Sequence, residues 1–162
     1  MTAAIGLKAF RDAFAEVPMP VAVATAARSE RPYGTTVSSF CSLSAAPPLV
    51  AAALDRRSTT LGVVLETRRF GLNVLAEGQE WLARRCATKT LGKLDEVERR
   101  SVDGLPRIHG VAVWLACSLR EHHAAGDHVL LVGLVTGSSV EPATPLLYHR
   151  RGFATPWNQP GD

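Results

Sequence analysis

Residues 111–135 read VAVWLACSL (111–119), REHHAAGDH (120–128) and VLLVGLV (129–135). Two apolar runs of strand length flank a polar stretch that contains Gly126-Asp127. Such runs fit strands covered on both faces, and a glycine in the polar stretch supplies the backbone freedom that a reversal needs. The segment predicts a β-hairpin with a polar connection over residues 121–127. Upstream, Val21–Thr25, Thr35–Phe40, Leu49–Leu54 and Phe70–Leu75 read as strands, and Leu146–His149 reads as a last short one. Arg28–Pro32 reads as a turn. Leu7, Phe10, Phe14 and Val17 mark a short helix over residues 4–16, ended by Pro18 and Pro20. Leu61, Val64 and Leu65 mark a second, with Ser58 as N-cap, and Trp81, Leu82 and Cys86 a third of about three turns. Residues 88–107 are polar and weakly patterned and read as a long loop, a length that in compact domains often carries function. The tail after Phe153, with Pro156, Trp157 and Pro160, shows no period. Six or seven strands, mostly consecutive, with about three short helices predict a mainly β fold: an antiparallel barrel with helical insertions rather than a doubly wound parallel sheet.

The 162 residues suit one domain, 1–162, able to bury roughly 70% of its unfolded surface without disulfide staples. Lys and Arg number 18 against 15 Asp and Glu, a net charge of +3. Arginine pairs at 56–57, 68–69, 84–85, 99–100 and 150–151 are spread along the chain. Solvated surface is the commoner role for each pair, and contact with an anionic small molecule is the sharper one. Aromatics are only 6% and no basic stripe interleaves with them, which disfavours nucleic acid. Three cysteines without a C-x-x-C disfavour a disulfide framework and a zinc site. Lys8, Arg11 and Asp12 precede any apolar run, and no stretch approaches the ~18 apolar residues of a membrane span. A cytoplasmic protein without a membrane segment is the expectation.

No G-x-x-x-x-G-K-[ST], G-x-G-x-x-G or G-x-S-x-G occurs. His122, His123, Asp127 and His128 match no standard zinc spacing, so no metal is expected. Cys41 reads as a small buried hydrophobe.

Three segments stand together. They are GTTVSSFCSLS (34–44) followed by Pro47-Pro48-Leu49, LDRRST (54–59), and Gly126-Asp127-His128 with Pro145-Leu146-Leu147-Tyr148. With Phe70–Leu75 between them, their order and spacing resemble the flavin reductase-like proteins, whose fold is an FMN-binding split barrel. The resemblance spans roughly residues 8–153. It implies hydride transfer from NADH, with NADPH as the other candidate, to FMN or FAD. It also implies delivery of reduced flavin to a partner monooxygenase, and a homodimer with the flavin site near the subunit interface. A flavin-binding barrel with another redox role, an oxidase or a carrier, is the alternative.

The residues themselves admit that chemistry. A strand of small residues, Gly34, Thr35, Thr36, Val37, Ser38 and Ser39, continued by Ser42 and Ser44, lets backbone N–H and C=O groups approach the polar edge of a flavin ring. A half-exposed strand explains the same pattern equally well. Asp55, Arg56, Arg57, Ser58 and Thr59 combine guanidinium groups with a helix N-terminus, both suited to a phosphate. A capped helix behind solvated arginines is the plain alternative. In the resemblance, a loop lysine joins them near the phosphate. The family shows Lys followed by Phe, whereas Lys93 precedes Leu94 here, so Lys89 and Lys93 both remain candidates. Gly126, Asp127 and Tyr148 are implied near the cofactor. His128 is the implied catalytic residue, placed to meet the nicotinamide; a strand-start histidine satisfied by backbone is the plain alternative.

Overall fold

The structure, a computed structural model, describes residues 4–156; Trp157 and Pro160 lie outside the described residues. In chain order it comprises α1 (Leu7–Ala15), β1 (Met19–Pro20), β2 (Ala22–Arg28), β3 (Arg31–Val37), β4 (Phe40–Ser44), β5 (Leu49–Asp55), α2 (Thr59–Thr67) and β6 (Arg69–Val74). Then follow α3 (Glu80–Ala87), β7 (Arg99–Val102), β8 (Leu105–Ile108), β9 (Val113–Ala125), β10 (His128–Val140), β11 (Leu147–His149) and β12 (Gly152–Ala154). Seven strands form one antiparallel sheet in the order β3-β2-β6-β9-β10-β5-β4. Two small sheets, β1-β11-β12 and β7-β8, complete the fold.

The connection of the two edges dictates the sheet's shape. A flat seven-stranded sheet is about 29 Å across at ~4.8 Å per strand. Its edge strands β3 and β4 are nevertheless joined by Ser38 and Ser39 alone, a link that reaches about 11 Å at most. The sheet must therefore curl until its edges nearly meet. The Ala53 N–H donates to the Ser39 carbonyl at 2.8 Å, which carries the β4-β5 pairing into the link. This is the expected antiparallel barrel, split between β3 and β4.

Strand alternation divides the apolar residues between two cores. Ala22, Ala24 and Ala26 of β2 join Phe70, Leu72, Leu54, Leu131 and the α2 residues Leu61, Val63 and Val64 in one. Val21 and Val23 face the other way, with Leu75, Leu82, Cys86, Leu94, Ile108 and Trp114. Alanine on the first face of β2 leaves the room that α2 fills, and both faces of β2 are covered. Buried Asn73 ties the β7-β8 hairpin to the barrel: its Oδ1 accepts the Ile108 N–H at 2.8 Å, and its Nδ2 donates to Thr25 Oγ1 at 3.0 Å.

Several local expectations are corrected. Thr35–Phe40 is not one strand, because the chain leaves the sheet at Ser38-Ser39 to cross between its edges. The turn expected over Arg28–Pro32 contracts to Ser29 and Glu30, both with positive φ, because Arg28 and Arg31 already pair. The expected loop over residues 88–107 contains β7 and most of β8, joined by Asp103-Gly104, again both with positive φ. Such turns match the twist of paired strands. Residues 121–125 belong to β9, and the polar connection shrinks to Gly126-Asp127. α3 has eight residues, about two turns rather than three. Phe153, placed before an aperiodic tail, lies in β12 and pairs with Tyr148. Cys41 is exposed rather than buried, because β4 is an edge strand whose middle residues face solvent.

Candidate functional site

The ladder between β5 and β10 sets His128 opposite Asp55. Two segments far apart in sequence thereby share one corner. The Arg56 N–H donates to the Asp127 carbonyl at 3.0 Å, and Arg56 Nη1 donates to the Gly126 carbonyl at 3.2 Å. The Asp55 carboxylate accepts from the Arg57 N–H at 2.8 Å and from Arg57 Nη2 at 2.9 Å. The Arg57 side chain is the largest influence holding the Asp55 carboxyl well below the usual carboxylate range, with His128 a lesser one. Asp127 Oδ1 lies 2.7 Å from His128 Nδ1, and that bond lowers the Asp127 pKa in turn. An ionised carboxylate only accepts, so Nδ1 carries the proton and Nε2 is the ring nitrogen left for another partner. Gly126 takes φ +63°, which a side chain rarely adopts.

A second feature lies at the N-terminus of α2. A small cleft of about 20 Å³ is lined by Arg31 and Gly34 of β3, Thr59 and Thr60 of α2, and Lys93. Gly34 permits the close approach of β3 to the loop: a Cβ there would lie 3.0 Å from Leu94 Cδ1. Thr60 is buried at 2% exposed. Ser58 occupies the N-cap position without a side-chain capping bond, and its N–H donates to the Asp55 carbonyl at 2.9 Å. Lys93 Nζ donates to the Cys86 carbonyl at 3.0 Å, and burial lowers its pKa. Lys89 is exposed. The Thr59 hydroxyl and the half-buried Lys93 ammonium at the N-terminus of α2 are groups suited to an anion.

The other sequence candidates are distributed as follows. Thr36 Oγ1 donates to the Ala83 carbonyl at 2.7 Å and Val37 is buried, so both side chains serve packing. Thr35 is half-buried on the same edge strand. Ser38 and Ser39 form the join beside Ala53. Ser42 and Ser44 lie on β4, where Ser44 pairs with Leu49 at the far end of β5. That end is about 20 Å along the strand from Asp55. Tyr148 packs edge-on against Phe153 at 5.4 Å in the small sheet, apart from this corner. Sequence reasoning missed Arg31 and Thr60. No local signal marks either, since each enters the cleft only through the packing of β3 on α2. Among the described residues, no group of three or more His, Cys, Asp or Glu suits a metal, and no helix is long and apolar enough to cross a membrane.

The family described as "Flavin reductase like domain" matches residues 14–156. The chain belongs to this family. It is 35% identical over 151 residues to a probable flavin reductase of Rhizobium meliloti, covering 92% of this chain and 49% of that protein. The chain therefore spans about half the length of that relative. It is 33% identical over 147 residues to the reductase component of 4-hydroxyphenylacetate 3-monooxygenase from Thermus thermophilus, covering 90% of this chain and 94% of that one. The structure of a Streptomyces globisporus NADH:FAD oxidoreductase in complex with NAD and FAD fragments superposes with a TM-score of 0.89. That pair is 28% identical and covers 99% of this chain and 100% of the other.

Proposed function

We propose that this flavin reductase-like chain takes a hydride from NADH and passes it to FMN or FAD, releasing reduced flavin to a partner monooxygenase. The observation that carries the reading is the convergence, on this barrel, of the Gly126-Asp127-His128 turn with the Asp55–Thr59 corner. Hydride transfer between the dihydronicotinamide and the flavin is chemistry that the bound molecules supply themselves. The chain's part is to hold two rings in register. Backbone groups of residues 34–39 line the ring's polar edge, and Ser58, Thr59 and Lys93 take the phosphate. His128, its Nδ1 proton fixed by Asp127, presents Nε2 to the nicotinamide side. NADPH remains the second candidate donor.

We further propose that the working form is a cytoplasmic homodimer. Asp12 pairs with Arg151, and Glu16 with Arg150 at 2.9 Å, so the polar edge of α1 faces its own barrel. Ile5, Leu7, Phe10, Phe14 and Val17 are left 46% to 66% exposed on the other edge. A second copy would cover this apolar stripe. All three cysteines are free thiols, in keeping with a reducing compartment.

NADH oxidation by the purified full chain, with and without added FMN or FAD, tests the activity. Rapid oxidation that depends on flavin is expected. A chain that binds flavin yet oxidises no NADH would sink the reading. Light scattering that shows only monomer at micromolar concentration would remove the dimer.

A further inference from the structure

Resting on that reading, we infer that Arg56 is a positioning residue for His128 rather than a flavin phosphate ligand. The tip of the β9-β10 hairpin is paired from outside on its β10 side, where the ladder with β5 runs to His128 opposite Asp55. Pairing of β9 with β6 ends at Ser118, and residues 121–127 are all exposed. Among the described residues, the two carbonyls of the turn accept hydrogen bonds from outside the hairpin through Arg56: Asp127 from its backbone N–H and Gly126 from its guanidinium. A glycine turn has few conformational restraints of its own. His128 follows immediately, and its ring is fixed to Asp127 within the same turn.

The neighbouring arginines thus divide their work. Arg57 folds onto Asp55 and stiffens the corner. Arg56 points to the hairpin and does not line the cleft at the α2 N-terminus. Thr59, three residues on, lines that cleft, where the phosphate would bind. One short segment therefore sets the flavin at one end and the histidine over the nicotinamide at the other. The side-chain bond adjusts where His128 lies; the backbone bond survives any substitution except proline.

The test is Arg56→Ala in the full chain, compared with the unmodified chain. Arg56 is exposed, so the variant folds. KM for NADH should rise about three- to tenfold, the scale of one solvent-accessible charge-assisted hydrogen bond, with kcat nearly unchanged. Affinities for FMN and for riboflavin, which lacks the phosphate, should move together or not at all. Amide hydrogen exchange in the peptide spanning residues 124–129 should quicken. An unchanged KM for NADH with unchanged exchange would overturn the inference. So would a loss confined to FMN, which would make Arg56 a phosphate ligand. Failure of the unmodified chain to oxidise NADH would instead overturn the proposed activity, while the exchange measurement still reads the Arg56 restraint.

Discussion

Replacing Gly133 by alanine places a methyl group where the barrel core has no room. Its Cβ would lie 2.5 Å from Phe70 Cζ, 2.8 Å from Phe70 Cε1 and 3.1 Å from Cys117 Cβ. Non-bonded carbons rest about 3.5–4.0 Å apart, so the ring must retreat by about 1 Å. Phe70 is fully buried among the residues of the first core and has nowhere to go. Overpacking costs about 1–3 kcal/mol, and a clash with two ring carbons at once places G133A near 3 kcal/mol on that scale. A chain of this length loses about 2–4 °C of Tm per kcal/mol, so a fall of about 6–12 °C is expected. Calorimetric or circular-dichroism melting reads it directly. Adding Phe70→Leu should recover part of the loss, and a double-mutant cycle should show a favourable coupling between the two sites. A G133A protein melting within about 2 °C of the parent would refute the packing argument. Gly62→Ala is the contrasting case: nothing lies within 4 Å of its Cβ on the exposed face of α2. There the helix gains about 0.5–1 kcal/mol and Tm rises.

His128→Asn should raise KM for NADH and lower kcat, cutting kcat/KM on the order of ten- to a hundredfold with flavin affinity intact. Earlier melting with unchanged kinetics would make His128 structural instead. Ser58→Ala should weaken FMN much more than riboflavin while leaving Tm unchanged, because the hydroxyl makes no capping bond to lose. Lys93→Gln should likewise discriminate FMN from riboflavin and Lys89→Gln should not, a contrast that binding titrations resolve. Burial pushes the Cys86 thiol up to about 11 and the Cys117 thiol up to about 12, above the free value of about 8.5. Between about 8.5 and these values the unfolded chain releases protons that the fold retains, so stability present below the window falls as pH rises through it. Urea unfolding at neutral pH and near pH 10 checks the sign.

Local sequence marked most of the strand runs, the three helices and a reversal within residues 121–127, which the structure narrows to Gly126-Asp127. Each of these depends on neighbours along the chain: Val21–Thr25 and Leu49–Leu54 are apolar enough to be buried wherever they lie. Asp103-Gly104 was also a local hairpin signal. It was obscured because its flanking strand Arg99–Val102 is largely exposed and carries no apolar alternation. The motif residues were legible as types, but their roles were not. Thr36 and Val37 share a strand with Thr35, yet one hydroxyl is taken by Ala83 and the other side chain is core. Only the tertiary structure decided that β3 and β4 bound the split, that His128 stands opposite Asp55, that Arg56 reaches the hairpin while Arg57 turns back, and that Thr60 and Arg31 share a cleft. Those facts rest on which strands become neighbours after the sheet curls. Pairing register and barrel closure are set by contacts between residues distant in sequence, and no local period records them.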